Sequence, residues 1–158
     1  MRAGLTLALA LVAGSARAQT TVNLHAANEF GGLGAGLEMG DRNALVMGAG
    51  VGVMIGYSST VGWISSTAPG AGVGYRRYLG NWFLGPTIGG GYHIQGNPNV
   101  RPGDGWRGWG VLGLGYRWRW DRSNWNTMLG GVAGVDWAET QDGPGLALGL
   151  SFSIGFAL

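Results

Sequence analysis

The sequence contains no cysteine and no lysine, and it has only 5 prolines in 158 residues. Without cysteine the chain has no disulfide and no thiolate metal site. The few prolines, with no G-X-Y period, exclude a collagen-like chain although 34 residues are glycine. Beyond residue 18 no apolar run reaches the length of a membrane-spanning helix. The hydrophobic share of 46% is too high for a disordered chain.

Residues 1–18 have the features of a cleaved export signal. Arg2 supplies a positive charge, Leu5–Ala13 is an apolar stretch, and Ala16–Ala18 is an A-x-A cleavage site. The apolar stretch is too short to cross the ~30 Å of hydrocarbon in a bilayer. After cleavage, residues 19–158 are one domain with as many arginines as acidic residues. The basic pI therefore gives no indication of nucleic-acid binding.

The segment Leu146–Leu158 shows a pattern that the rest of the chain repeats. Large apolar residues alternate with glycine, alanine and serine, and the segment carries no charge. A period of two predicts a β-strand, because successive side chains point to opposite faces. One face of large apolar side chains and one face of small, weakly polar side chains are typical of a strand with lipid outside the barrel and a narrow space inside it.

Eight such strands follow one another after the export signal. They are predicted at Thr21–Ala26, Gly32–Met39, Ala44–Tyr57, Gly70–Tyr78, Trp82–Gln95, Arg107–Trp120, Trp125–Trp137 and Leu146–Leu158. Short turns follow the second, fourth and sixth strands, and longer loops (Ser58–Pro69, Gln95–Gly105 and Ala138–Pro144) follow the third, fifth and seventh. This asymmetry predicts an all-β, antiparallel, up-and-down transmembrane barrel. Pro86 lacks an N–H and is expected to weaken the pairing of its strand.

The aromatic residues favour two girdles at the membrane interfaces. They concentrate near the strand ends, with Trp82, Trp118, Trp120 and Trp125 beside the short turns and Tyr57, Tyr92, Trp109 and Trp137 towards the longer loops. Indole and phenol rings prefer the headgroup level of a bilayer. Two girdles with an apolar band between them are expected of a membrane barrel.

These stretches resemble the small eight-stranded outer-membrane barrels, the class that includes OmpX and the transmembrane domain of OmpA. The resemblance is carried by Val22–Leu24, Leu37–Glu38, Tyr75–Gly91, Gly115–Trp118 and the closing strand. It implies a monomer in the outer membrane of a Gram-negative bacterium, with outer-membrane lipid as its surroundings and no cofactor. It also implies that the assembly machinery reads the last strand. Members usually end in an aromatic residue, whereas this sequence has Leu158.

Four charged residues are predicted on the inward face near the short turns: Glu38, Arg76, Arg117 and Arg119. Arginines beside a carboxylate in a narrow interior indicate a paired network that closes the barrel. The alternative is an anion-selective constriction. An eight-stranded barrel is just wide enough to be filled by its own side chains, so the closed interior is favoured.

The sequence offers little to indicate catalysis. His93 and Asp136 are expected to face inward near the longer loops, and Ser151 and Ser153 face inward on the last strand. No His-and-Ser motif of outer-membrane lipid-modifying enzymes is present, and no spacing of His and carboxylates suggests a metal. Gly108–Gly113 fits G-x-G-x-x-G but lies inside a strand, where a dinucleotide site is not expected. No catalytic residue and no metal ligand is predicted.

The sequence therefore predicts an integral barrel with a structural or surface-interaction role, in which Ser58–Pro69 and Gln95–Gly105 offer the loops for ligands. The alternatives are a narrow anion-leaning channel and a lipid-modifying enzyme. The rival fold is a soluble ligand-binding barrel, which would place the large residues inside and leave glycines and charges outside.

Overall fold

The computed structural model describes residues 19–58, 62–95, 104–139 and 143–158, and within them only the backbone at 27–28, 53–58, 62–66 and 95. The chain is all-β. Its strands are β1 (Thr20–Ala27), β2 (Gly32–Gly40), β3 (Asn43–Ser58), β4 (Gly62–Leu79), β5 (Trp82–Gln95), β6 (Gly105–Arg119), β7 (Trp125–Ala138) and β8 (Gly145–Ala157). No helix in this described part is long and apolar enough to cross a membrane.

The eight strands form one closed antiparallel barrel. Each strand pairs with its neighbour in sequence, and β8 pairs with β1 to complete the cylinder. The all-β, eight-stranded antiparallel barrel predicted from the sequence is therefore confirmed. Residues 1–18, where the export signal is predicted, lie outside the described residues. We call the end with the connections 41–42, 80–81 and 120–124 the turn end, and the opposite end the loop end.

Side chains divide between the two faces as the period of two requires. In β8, Leu146 and Leu150 are each 76% exposed on the outside, whereas Ser151 and Ser153 are each 7% exposed on the inside. The same division runs around the barrel, where many leucine and isoleucine side chains are exposed, whereas buried polar side chains and the buried valines Val46, Val111 and Val132 face inward. The large apolar residues thus cover the outer surface.

One predicted loop is wrong. Ser58–Pro69 is largely β-strand, because β4 begins at Gly62 and pairs with β3 from Ser58↔Gly62 to Val51↔Pro69. The serines and the proline favoured a loop, but Trp63, Ile64 and Thr67 are strand-forming residues. Pairing with the edge of β3 favours the strand over the loop, because β3 supplies the backbone hydrogen-bonding partners.

Pro86 interrupts the barrel wall on one side only. The ladder between β4 and β5 omits Tyr75 and Arg76 opposite Gly85 and Pro86, whereas Pro86 keeps its register with Leu112 on β6. A residue without an N–H cannot donate to a ladder. The weaker pairing predicted for this strand occurs on the β4 side.

The connection between β1 and β2 turns into the barrel. It forms a short 3₁₀ turn, Asn28–Phe30, followed by Gly31 and Gly32 with φ of 84° and 116°. Glycine tolerates these positive φ values because it has no Cβ. Glu29 and Phe30 are buried, and the turn contacts β3, β4, β5 and β8. The sequence pattern leaves this connection between two predicted strands and gives no indication of its inward course.

Candidate functional site: the barrel interior

Glu38 is the centre of a buried charge cluster near the turn end. Tyr78 donates its hydroxyl to both carboxylate oxygens, at 2.8 and 2.9 Å. Arg76 donates to Oε2 at 3.0 Å, and Arg117 donates to Oε1 at 3.2 Å. Glu38 itself is only 2% exposed. Residues of β2, β4 and β6 are therefore joined through one carboxylate inside the barrel.

Arg76 links this carboxylate to a second one. Its other terminal nitrogen lies 3.1 Å from Oε1 of Glu29, on the inward 3₁₀ turn. Its guanidinium also lies 4.7 Å from the ring centre of Phe83 and 5.9 Å from that of Phe30. Arginine suits this position because its planar, weakly hydrated guanidinium can pair with carboxylates and lie against rings at the same time. The 3₁₀ turn is thereby attached to the charge cluster.

The cluster balances its charge within the buried interior. Two guanidinium groups, Arg76 and Arg117, face two carboxylates, Glu29 and Glu38, and all four side chains are at most 10% exposed. Arg117 also lies 3.7 Å from the ring centre of Tyr78. Buried charges cost several kcal/mol each in desolvation unless they are paired, so a balanced network is what allows them to remain here. The arrangement fills this part of the interior.

The 3₁₀ turn closes the interior above the cluster. Trp109 on β6 donates its indole N–H to the backbone oxygen of Glu29 at 3.0 Å. Inward glycines make room for the turn: a Cβ at Gly48 would lie 2.8 Å from Phe30, and one at Gly72 would lie 2.5 Å from the oxygen of Glu29. The turn and the charge cluster thus occupy the barrel together.

Arg119 does not join the cluster, although the sequence predicted it there. Its guanidinium lies 3.2 Å from Asp41, and the two side chains are 54% and 64% exposed. Arg117 and Arg119 share a face of β6, but Arg119 is the last residue of the strand. The extra two residues, roughly 6–7 Å of strand, carry it past the interior to the turn end.

The predicted girdle residues fall into three groups. Six are exposed on the outer surface: Trp82, Trp118, Trp120 and Trp125 at the turn end, and Tyr92 and Trp137 at the loop end. The side chain of Tyr57 lies outside the described part. Trp109 is not a girdle residue, since it is buried at 9% exposure inside the barrel. Its position between Arg107 and Val111 gives it the inward parity of β6.

Between the 3₁₀ turn and the loop end, the residues that the structure describes leave part of the interior unfilled. A cavity of about 690 Å³ is lined by Val111 and Val132 at depth, by Trp109 and its cross-strand partner Asp136 above them, and by His93 and Arg107 nearer the loop end. Arg107 forms a salt bridge with Asp136. The predicted inward positions of His93 and Asp136 therefore meet in one cavity, but the carboxylate of Asp136 pairs with an arginine.

A second, small void of about 20 Å³ lies beside the 3₁₀ turn among polar side chains. Asn23, His25, Ser151 and Ser153 contribute to its lining, and His25 bonds through Nδ1 to the oxygen of Gly32 at 3.1 Å. The void is about the size that holds one water. No group of three or more His, Cys, Asp or Glu side chains suited to a metal occurs among the described residues.

The sequence did not identify two members of the cluster. Tyr78 has the same parity as Arg76 on β4, so the alternation contained a signal for its inward position. Glu29 had no such signal, because a 3₁₀ turn rather than a strand positions it. The segment between the first two strands otherwise has the composition of a simple connection. The unusual feature is a charged residue next to Phe30 and two glycines.

Comparison with known proteins does not assign the chain to a family. No protein-family model, no curated protein and no solved structure matches it.

Proposed function

We propose that this chain is an integral outer-membrane β-barrel of a Gram-negative bacterium, exported through a cleaved signal at residues 1–18. It resembles the small OmpX-like and OmpA-like barrels in its architecture. Its role is structural or surface-interactive, without catalysis and without a cofactor, and it works as a monomer surrounded by lipid. Assembly machinery recognises its last strand. The observation that carries this proposal is that large apolar residues lie on the outer surface of the barrel, whereas a water-soluble barrel buries them.

The outer surface of the barrel supports the proposal that lipid surrounds the protein. Large apolar side chains such as Leu24, Leu112 and Leu148 are exposed by 69%, 53% and 65%, while buried charged and polar side chains face the interior. A water-soluble barrel buries its apolar residues, and a contiguous apolar surface of this extent would aggregate in water. Exposed aromatic residues at both ends match the headgroup girdles of a membrane barrel.

The interior supports a closed barrel in preference to a channel. Ala44, Tyr78, Phe83 and Met128 pack together at the turn end beside the charge cluster, and the 3₁₀ turn lies above them. An ion path would have to displace paired charges from this packed layer, which is costly in a medium of low polarity. We therefore propose that the folded protein does not conduct ions.

The membrane assignment is tested by heating the protein in SDS. Folded barrels of this type resist SDS, so an unboiled membrane fraction should give a band that migrates differently from the boiled one. A protein found in the soluble fraction, with no change in migration on boiling, would contradict the assignment.

Conductance separates the closed barrel from the anion channel. Purified protein inserted into a planar bilayer should give no steps above the lipid baseline at moderate voltage. Steps with anion preference that change in Arg117→Gln would instead support the channel. A variant with an exposed substitution, Arg119→Gln, is the matched control because that side chain lies outside the cluster.

A further inference from the structure

The barrel wall is incomplete beside the β1–β2 hairpin. β1 ends at Ala27, which pairs with Ser151, and the pairing of β2 with β3 ends at Val51. Within the described residues, 145–150 pair only with β7 and 52–58 pair only with β4. Since β3 and β8 flank this hairpin, their free edges border one gap. Six residues correspond to roughly 15 Å of wall height, at about 2.5 Å per residue for a tilted strand.

The gap lies on the hydrocarbon side of the loop-end aromatic residues. Asp136 pairs with Gly145, so Leu146 and the residues after it run from the level of Trp137 towards the middle of the barrel. Leu146, Leu148 and Leu150 beside the gap are exposed on the outer face. Longer loops face the cell exterior in outer-membrane barrels, so with the loop end outside the gap opens into the apolar layer of the outer leaflet.

The 690 Å³ cavity passes through this gap. Its lining combines the inward residues Trp109 and Val132 with the outward residues Leu33, Leu146 and Leu150. A cavity that touches both faces of the wall must continue from the interior to the outer surface. Its volume lies within the ~300–1,000 Å³ typical of small-molecule sites.

The chemistry of the cavity changes along its depth. Val111, Val132 and Ala147 pack with the ring of Trp109 at the floor, Asp136 pairs with Trp109 across the ladder, and His93 and Arg107 line the part nearer the loop end. Two nitrogen-bearing side chains thus accompany one carboxylate at the level where lipid headgroups lie. A hydrocarbon chain gains little on leaving lipid for an equally apolar cavity, so its head group decides whether it binds.

We propose that this cavity binds a long-chain carboxylate from the outer leaflet. The hydrocarbon chain enters through the gap and lies over Trp109, and the carboxylate meets His93 and Arg107, whose guanidinium it shares with Asp136. The inference rests on the proposed membrane location, because the gap supplies the ligand only if lipid surrounds the barrel.

The test uses folded protein in lipid vesicles with a photoreactive fatty acid, hexadecanoic acid that carries a diazirine near its methyl end. After irradiation, mass spectrometry of peptides locates the adducts. Adducts on the inward residues Val111, Val132 or Ala147 arise only from a chain inside the barrel, whereas adducts on the outward residues Ala133 or Leu112 arise from surrounding lipid. We expect inward adducts with the wild-type protein.

Matched variants and a neutral probe sharpen the result. Ala147→Phe places a ring in the apolar part of the cavity and should lower the yield of inward adducts, while Ala133→Phe, on the outward face, should leave it unchanged. The corresponding diazirine alcohol should give roughly tenfold fewer inward adducts, since it lacks the charge-assisted hydrogen bonds. Arg107→Gln should remove this difference between acid and alcohol.

The outcomes separate this inference from the proposed function. Adducts confined to outward residues in the wild-type protein would overturn the fatty-acid site and leave the membrane barrel intact. Equal inward labelling by acid and alcohol would overturn the role of Arg107 and His93. Absence of any adduct, together with absence of a heat-dependent gel shift, would contradict the membrane assignment itself. If Ala147→Phe does not fold, the wild-type adducts and the alcohol probe still decide.

Discussion

At the scale of single residues, Glu38 is the carboxylate around which the buried charged side chains assemble. It accepts hydrogen bonds from Arg76, Tyr78 and Arg117 and is almost fully buried. Each of these contacts joins β2 to a strand that is not its neighbour in the sheet. Backbone ladders hold neighbouring strands, so the carboxylate adds the connections across the barrel that the ladders do not provide.

Glu38→Ala is expected to lower the free energy of unfolding by about 3–5 kcal/mol, because two buried guanidinium groups lose a partner. Asp41→Ala is the matched control. It removes a carboxylate from the exposed pair with Arg119 and should cost about 0–1 kcal/mol. Urea unfolding of both variants in lipid vesicles gives the comparison. Equal midpoints would show that the cluster contributes nothing to stability.

Gly72 and Gly110 offer a second matched pair. A Cβ at Gly72 would lie 2.5 Å from the backbone oxygen of Glu29, whereas no atom of the described residues lies within 4 Å of one at Gly110. Gly72→Ala should therefore destabilise the barrel by about 1–3 kcal/mol through overpacking against the 3₁₀ turn. Gly110→Ala should be neutral or stabilising by a few tenths of a kcal/mol. Unfolding midpoints check both, and a neutral Gly72→Ala would contradict the inward position of the turn.

What the sequence revealed about individual residues depended on the period of two. Glu38, Arg76 and Arg117 lie on regular strands, so their inward direction followed from alternation. Arg119 has the same parity, but direction alone does not show where the wall ends. Glu29 lies on a turn whose course is set by contacts with distant strands, and no local pattern records such contacts.

At the scale of elements, the 3₁₀ turn Asn28–Phe30 differs most from expectation. The turn carries a buried charge and a buried ring into the interior, and the indole of Trp109 holds its backbone. A hairpin connection of this kind usually stays at the rim. Here it forms the layer between the charge cluster and the open cavity.

Trp109→Phe is expected to lower the free energy of unfolding by about 1–3 kcal/mol, since the buried carbonyl of Glu29 loses its donor. Trp106→Phe on the same strand is the control. Trp106 is 65% exposed on the outer face, so its replacement should change stability by much less. Denaturant unfolding measures both variants. A larger loss of stability for Trp106→Phe would contradict the conclusion that the hydrogen bond from Trp109 stabilises the position of the turn.

The strands themselves were largely predictable, with one exception. Alternation and turn residues located all eight, since strands whose two faces differ need the period of two throughout their length. The start of β4 was missed because serine, threonine and proline also occur in loops. Only pairing with the long β3 distinguishes the two cases, and this pairing is a tertiary property.

At the scale of the whole molecule, the apolar exterior distinguishes the membrane barrel from a soluble one. Leu112→Arg places a charge midway between the two ends and should cost about 2–4 kcal/mol when the protein folds into lipid vesicles. Trp120→Arg, at the turn end, should cost about 0–1 kcal/mol because its side chain reaches the interface. Both residues are exposed, so a soluble barrel would tolerate them equally. Folding equilibria in vesicles decide between these outcomes.

Closure of the cylinder has a consequence for the order of folding. The ladder between β1 and β8 joins Thr21 to Ala157, almost the whole length of the barrel sequence, and it is the shortest ladder among the described strands. Contacts between residues far apart in sequence form slowly, because much chain entropy is lost before they stabilise anything. The seven ladders between strands that are consecutive in sequence can form one after another. The β1–β8 ladder, which we call the seam, can form only when both end strands are in place. We expect the seam to be the rate-limiting contact in folding, and the first to separate when the barrel opens.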